Sequence, residues 1–144
     1  LNIELKPNLN FEKINVQKII EITKEIEDIQ IFYSSFDINS FVEISNVFNN
    51  SNRSFLIDSF EEYSLTDLFS ITEKYDANLC GLNIKIISKE IIEKIKEKNL
   101  FVTVYSAKNI TKIEAEECFN IGVDSIFIDN PTELINNYTG ANYC

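Results

Sequence analysis

Glu4 and Lys6 are the residues whose types and spacing first suggest chemistry in this chain of 144 residues. They sit in the stretch LNIELKP. At the period of a strand, Leu1, Ile3 and Leu5 point one way, and Asn2, Glu4 and Lys6 the other. The run reads as part of a buried parallel sheet. An ion pair serving structure alone would cost desolvation there for little net stability. A charge in so unfavourable a place points to a site. A carboxylate on that face suits a hard divalent cation such as Mg²⁺ or Ca²⁺. A lysine beside it suits a phosphate oxygen or developing negative charge.

The rest of the composition narrows the chemistry. There is no histidine, which removes the commonest general acid and base, His-ligated zinc, and any Ser-His or Cys-His pair. Cys80, Cys118 and Cys144 are widely spaced and read as reduced, core-type thiols. The formal net charge of −10 disfavours nucleic acid or an anionic membrane as partner. It leaves room for an anionic substrate held through a bound cation. No apolar run approaches the roughly 18 residues of a membrane span, and no signal-peptide pattern occurs. A cytoplasmic location is expected. Asn137-Tyr138-Thr139 matches a glycosylation sequon, a triplet that chance supplies in an Asn-rich chain. The first residue is Leu and there is no Met, so the chain is expected to be part of a longer one.

Six short apolar runs must position these groups: Leu1 to Leu5, Ile31 to Phe36, Ser54 to Phe60, Leu79 to Ile84, Phe101 to Ser106 and Ser125 to Asp129. Helical patterns lie between them. Ile14, Ile19, Ile22, Ile26 and Ile29 recur at helical spacing, as do Ile91, Ile92 and Ile95. Asp37 is a predicted N-cap, Ser88 another, and Thr111 opens a capping box with Glu114. Gly122 stands where a C-cap glycine belongs, and Asn130-Pro131-Thr132-Glu133 sets a cap, a proline at N1 and a glutamate at N3. Strand and helix alternate six times without a hairpin signal, which means a parallel sheet with helical crossovers. No linker divides the chain, so residues 1–144 read as one domain. Only three glycines occur and no glycine-rich loop follows the first strand, so a dinucleotide fold fits poorly. The expected fold class is α/β, a partial TIM (β/α)₈ barrel with about six of the eight βα units. A complete barrel has roughly 250 residues.

Sites in such folds form beyond the carboxyl ends of the strands. Small polar and aromatic residues collect there: Ser34-Ser35-Phe36-Asp37, Asp58-Ser59-Phe60, Gly81-Leu82-Asn83, Tyr105-Ser106 and Asp129-Asn130. Asp37, Asp58 and Asp129 read first as helix caps. Ser35, Ser106 and Asn83 stand open between turn and site. Tyr105 alone would read as core, and Gly81 as a point of close backbone approach.

In this order the motifs resemble the glycerophosphodiester phosphodiesterase family. LNIELKP is similar to its strand close to "lniElKp", Ser34-Ser35-Phe36 to its "SSF" strand end, and Gly81-Leu82-Asn83 to a short strand before a helix. Phe101 to Ser106 is similar to its "v-v-W-T" strand, and Gly122 to Pro131 to its closing "GvDgiiTDnP". The resemblance covers the whole chain. It implies a TIM barrel that hydrolyses glycerophosphodiesters to an alcohol and glycerol 3-phosphate with a divalent cation. Glu4 would be one metal ligand. Lys6 would contact the substrate phosphate, and Tyr105 and Phe36 would line the mouth. Ser106 replaces a threonine, Lys108 an asparagine and Ile128 a threonine.

The family's "HRG" and "HD" histidines and its "E-x-D" pair would precede LNIELKP, and none is in this chain. The resemblance therefore implies a missing N-terminal barrel segment and no catalytic histidine here. The leading expectation is the C-terminal portion of a phosphodiesterase, inactive alone. One alternative is a non-catalytic binding or relic protein on the same scaffold. Another is an unrelated α/β binding domain in which Glu4 and Lys6 are only paired charges.

Overall fold

The computed structural model describes residues 1–48 and 52–131. Strand and helix alternate in the order β1 (Asn2–Glu4), α1 (Glu12–Thr23), β2 (Phe32–Ser35), α2 (Ile38–Val47), β3 (Arg53–Ile57), α3 (Leu65–Lys74), β4 (Leu79–Asn83), α4 (Lys89–Lys96), β5 (Phe101–Tyr105), α5 (Lys112–Asn120) and β6 (Ser125–Ile126). The strands pair in parallel in sequence order, each with the next. That order never reverses, as it would in a doubly wound sheet. It is the arrangement of a partial TIM barrel.

Each helix begins where the chain satisfies its first N–H groups. The Asp37 carboxylate accepts from Ser40 N, and Ser88 accepts from Ile91 N. The predicted capping box at Thr111 and Glu114 forms, and a second one joins Ser64 to Asp67 ahead of α3. Gly122 has φ of 100°, the left-handed value a residue past a helix end needs. Helix α1 differs. Phe11 at its N-cap gives no side-chain bond.

Alternation divides the sheet into two faces. Tyr33, Phe55, Ile57, Cys80, Leu82, Val102 and Val104 face the helices and are buried. Most of them join Phe41, Leu68, Ile92, Ile95 and Cys118 in one large core; Tyr33 belongs to a smaller one under α1. Cys80 and Cys118 are free thiols. Burial pushes the Cys80 thiol up to about 12, so it stays protonated. The other face carries polar groups among apolar ones: Asn2, Ser34, Ser54, Gly81, Thr103 and Ser125 share it with Phe32, Leu56, Leu79 and Phe101 through the strand register. Gly81 yields to a side chain, not to a backbone as expected. A Cβ there would stand 2.2 Å from Leu56 Cδ2.

The predicted apolar face of the first helix is not the buried one. Helix α1 ends at Thr23, so Ile26 and Ile29 lie beyond it. Ile14 and Ile22 are 49% and 67% exposed. The face turned inward is Val16, Ile19, Ile20 and Thr23, spaced i, i+3, i+4, i+7. Thr23 settles the choice, because its hydroxyl meets Ile19 O at 2.9 Å and the Tyr33 hydroxyl at 3.0 Å. At the other end of the chain, Pro131 is the first helical residue after Asn130, as predicted. Thr132, Glu133, the Asn137-Tyr138-Thr139 triplet and Cys144 lie outside the described residues.

Candidate active-site mouth

The carboxyl ends of the strands bring Glu4, Phe36, Asp58, Asn83 and Tyr105 to one rim. Tyr105 closes β5 on the polar face. Its hydroxyl donates toward Ile57 O at 2.9 Å and toward Asp58 Oδ1 at 3.1 Å. The same carboxylate oxygen accepts from Asn83 Nδ2 at 2.6 Å. Asn83 Oδ1 in turn takes the Lys85 N–H at 3.0 Å, which turns the chain after β4. The Phe36 ring meets the Tyr105 ring edge-on, with centroids 5.2 Å apart. Burial, then the Asp58 charge and hydrogen bond, then the Glu4 charge raise the phenol well above its ordinary value. Tyr105 is therefore a neutral donor at physiological pH, not a base. Glu4 closes β1 opposite Ser34, at the same carboxyl end of the sheet.

Phe36 and Tyr105 thus come together as expected. Glu4 and Lys6 do not behave as the strand pattern suggested. Strand β1 stops at Glu4, and Lys6 lies past it. Both are exposed and no ion pair joins them. The premise of an expensive buried charge fails, and so does the reading of a structural Glu4–Lys6 pair. What remains is an exposed carboxylate at a rim where a ligand could reach it.

Sequence reasoning missed Asp58. It is no helix cap, since α3 starts seven residues later under Ser64. The signal was present in the strand period, which puts Asp58, Asn83 and Tyr105 on the same side of their strands. Ser35 and Ser106 resolve as structural: Ser35 Oγ donates to Leu5 O at 2.7 Å, and Ser106 Oγ accepts from Lys108 N at 3.2 Å. Asn109 Oδ1 accepts from the backbone N–H of Asp129 and Asn130, tying the loops after β5 and β6 together.

A cavity of about 550 Å³ opens at the opposite end. Its lining runs from Leu1 and Asn2 to Ile126 and Phe127, across the whole concave face. Asn2 Oδ1, Ser54 Oγ and Asn78 Oδ1 are buried along it without a partner. Among the described residues this is the concave face between β1 and β6. It is a different place from the rim that carries the carboxylates.

The sequence profile of the glycerophosphoryl diester phosphodiesterase family matches residues 2–133. The chain belongs to that family. No curated protein matches it. Among solved structures, a phosphodiesterase of Oleispira antarctica in complex with the product sn-glycerol-3-phosphate superposes with a TM-score of 0.79 at 20% identity, over 98% of this chain and 55% of that one. A glycerophosphodiester phosphodiesterase of Parabacteroides distasonis gives 0.72 at 16% identity, over 96% and 57%. One from Thermotoga maritima gives 0.67 at 18% identity, over 94% and 56%. The chain thus spans little more than half the length of the phosphodiesterases it matches.

Phosphodiesterases of this family imply a divalent cation. Glu4 fits that role as one oxygen donor, because among the described residues no hydrogen bond or ion pair holds its exposed carboxylate. Among the described residues, no three His, Cys, Asp or Glu side chains gather. The chain therefore fits as the source of one ligand, not of a complete set. Among the same residues no helix is long and apolar enough to cross a membrane.

Proposed function

We propose that this chain supplies the substrate-facing C-terminal portion of a glycerophosphodiester phosphodiesterase, which cleaves a phosphodiester to an alcohol and glycerol 3-phosphate. The observation that carries the reading is the rim itself. An exposed carboxylate, a lysine two residues on and a paired aromatic wall stand at the carboxyl ends of strands in a chain of this family. Lys6 is placed to meet a phosphate oxygen as a point charge. Phe36 and Tyr105 shield one side of the mouth from water. Glu4 would hold a divalent cation, Mg²⁺ or Ca²⁺, which when bound supplies charge neutralisation at the phosphate.

The chain has no histidine, the commonest general acid and base near neutral pH. The chain alone is therefore expected to be inactive. Two further βα units, on this or another polypeptide, would bring the missing groups. The uncovered concave face with its three unpartnered polar atoms supports that completion. The lack of histidine equally favours a second reading, a non-catalytic protein on the same scaffold.

Reading the coding DNA upstream of Leu1 separates the two. An open frame encoding HRG and E-x-D supports the enzyme; a stop codon and a start near Leu1 support the binding protein. A coupled assay for glycerol 3-phosphate with Mg²⁺ and with Ca²⁺ tests the isolated chain. Turnover that scales with protein and survives repurification would overturn its expected inactivity. In a barrel completed upstream, Glu4→Gln should lower turnover at least about tenfold while the melt stays near native, with partial rescue at high metal. A lowered melt with normal turnover would remove Glu4 from the site.

A further inference from the structure

We infer that Asp58 is a positioning residue of this mouth: its carboxylate, at the end of β3, binds Asn83 of β4 and Tyr105 of β5 into one wall and sets the phenol ring against Phe36 of β2. The inference rests on reading this rim as the substrate mouth.

An exposed aspartate after a strand is ordinarily a cap or a solvated charge. Asp58 is neither. Its Oδ1 takes two donors, at 2.6 Å from Asn83 and 3.1 Å from Tyr105. The donors come from the next strand and the one after it, so one oxygen spans three strands. The Asn83 side chain has no freedom to turn away. Its Oδ1 is committed to the Lys85 N–H, which directs Nδ2 at Asp58 and fixes the amide orientation. Asn83 is 6% exposed, so losing the carboxylate would leave a buried N–H₂ short of an acceptor. The phenol has one proton, divided between Ile57 O and Asp58 Oδ1. Remove Asp58 and the ring keeps one backbone anchor and loses its lateral one. The edge contact with Phe36 would then loosen, and the wall with it.

The experiment places 3-fluorotyrosine at position 105 of the whole chain and follows it by ¹⁹F NMR, since the fluorinated phenol ionises at lower, accessible pH. In the native chain its ionisation is expected well above that of free 3-fluorotyrosine. Asp58→Asn should bring it back by about one pH unit or more, through loss of a like charge. Asp58→Glu should restore part of the displacement. An unchanged ionisation in Asp58→Asn, in a variant with native circular dichroism, would overturn the inference. If Asp58→Asn fails to fold, Tyr105→Phe gives the second reading. Asp58 should still hold Asn83, whose side-chain amide protons should stay slow to exchange, while the ring at position 105 flips faster. Equal flipping in both chains would also overturn it.

Titration with glycerol 3-phosphate in the presence of Mg²⁺, in a barrel completed upstream and labelled at the same position, tests the mouth separately. A shift at position 105 that needs about tenfold more ligand in Asp58→Asn supports positioning at a site. No shift in the native chain overturns the site reading and leaves the anchoring result standing.

Discussion

The edge formed by β1 and α1 and the centre formed by β3, β4 and β5 are built from similar residues and are not equally secure. Sixteen buried residues join in the central core, against five beneath the edge, among those described. The helices α2 to α5 each begin under a side-chain cap, and α1 does not. The centre also contains Arg53, a residue 3% exposed. Its guanidinium donates to Ser45 O near the end of α2 and to Tyr75 O and Asp76 O after α3. Three carbonyls at two helix ends, each at a negative dipole terminus, are satisfied by one cation. Burial nonetheless pulls Arg53 below its ordinary value.

The rim is divided along the same line. Phe36, Asp58, Asn83 and Tyr105 stand on β2 to β5, braced by one another. Glu4 and Lys6 hang from the last residue of β1 and the loop beyond it. A cation site that depends on Glu4 needs something outside β1 to hold that strand in place. The aromatic wall is braced across four strands, and the charged pair is not.

Mutations should sharpen this contrast in order. Leu82→Ala, at a fully buried central position, should destabilise by about 2–5 kcal/mol. Arg53→Met should destabilise by about 3 kcal/mol, because three carbonyls lose their donor at once. Both are read from urea melts followed by circular dichroism. A loss under about 1 kcal/mol for either would mean the centre is no better packed than the edge. At the edge, Thr23→Val removes the buried bond to Tyr33 and should cost about 1 kcal/mol. Ile22→Ser should stay within about 0.5 kcal/mol, since the side chain is already exposed.

The edge should declare itself in association instead. Ile14, Ile22, Ile26 and Ile29 are exposed on and after α1, beside β1, which among the described residues pairs only with β2. The isolated chain is expected to self-associate despite its charge of −10. The double variant Ile14→Glu, Ile22→Glu should shift sedimentation toward monomer. A native chain that sediments as a sharp monomer and melts cooperatively would show that the edge needs no partner.

The smallest effect concerns pH. The Ser64 hydroxyl and then its backbone N–H hold Asp67 below its ordinary 3.8. The Thr111 backbone N–H and then its hydroxyl hold Glu114 below 4.5. A carboxylate lowered in the folded state adds stability above its ordinary value and loses it as pH falls through the lowered one. Asp67→Asn and Glu114→Gln should therefore flatten the acid limb of the stability curve and leave the limb above about pH 6 parallel to native. A changed slope near neutrality would assign these carboxylates another role.

Much of this protein was legible in residue order alone. The six strands lie where the apolar runs put them, because strands joined by helical crossovers are short apolar segments bounded by turn and cap residues. The caps at Asp37, Ser88 and Thr111 were readable because capping is local: a side chain satisfies an N–H three residues away. The family was readable because its motifs keep their order.

What the sequence left undecided depends on groups distant in the chain. Asp58, Asn83 and Tyr105 are separated by more than twenty residues at each step and meet only when the strands align. As isolated letters they read as a cap, a turn and a core ring. Which isoleucines of α1 turn inward is a similar case. Several sets fit a helical period, and the choice fell to Thr23 finding Tyr33 across the interface. The standing of Glu4 was decided by where β1 ends. Period-two alternation shows which way a side chain points along a strand, and only the tertiary structure shows whether anything covers it.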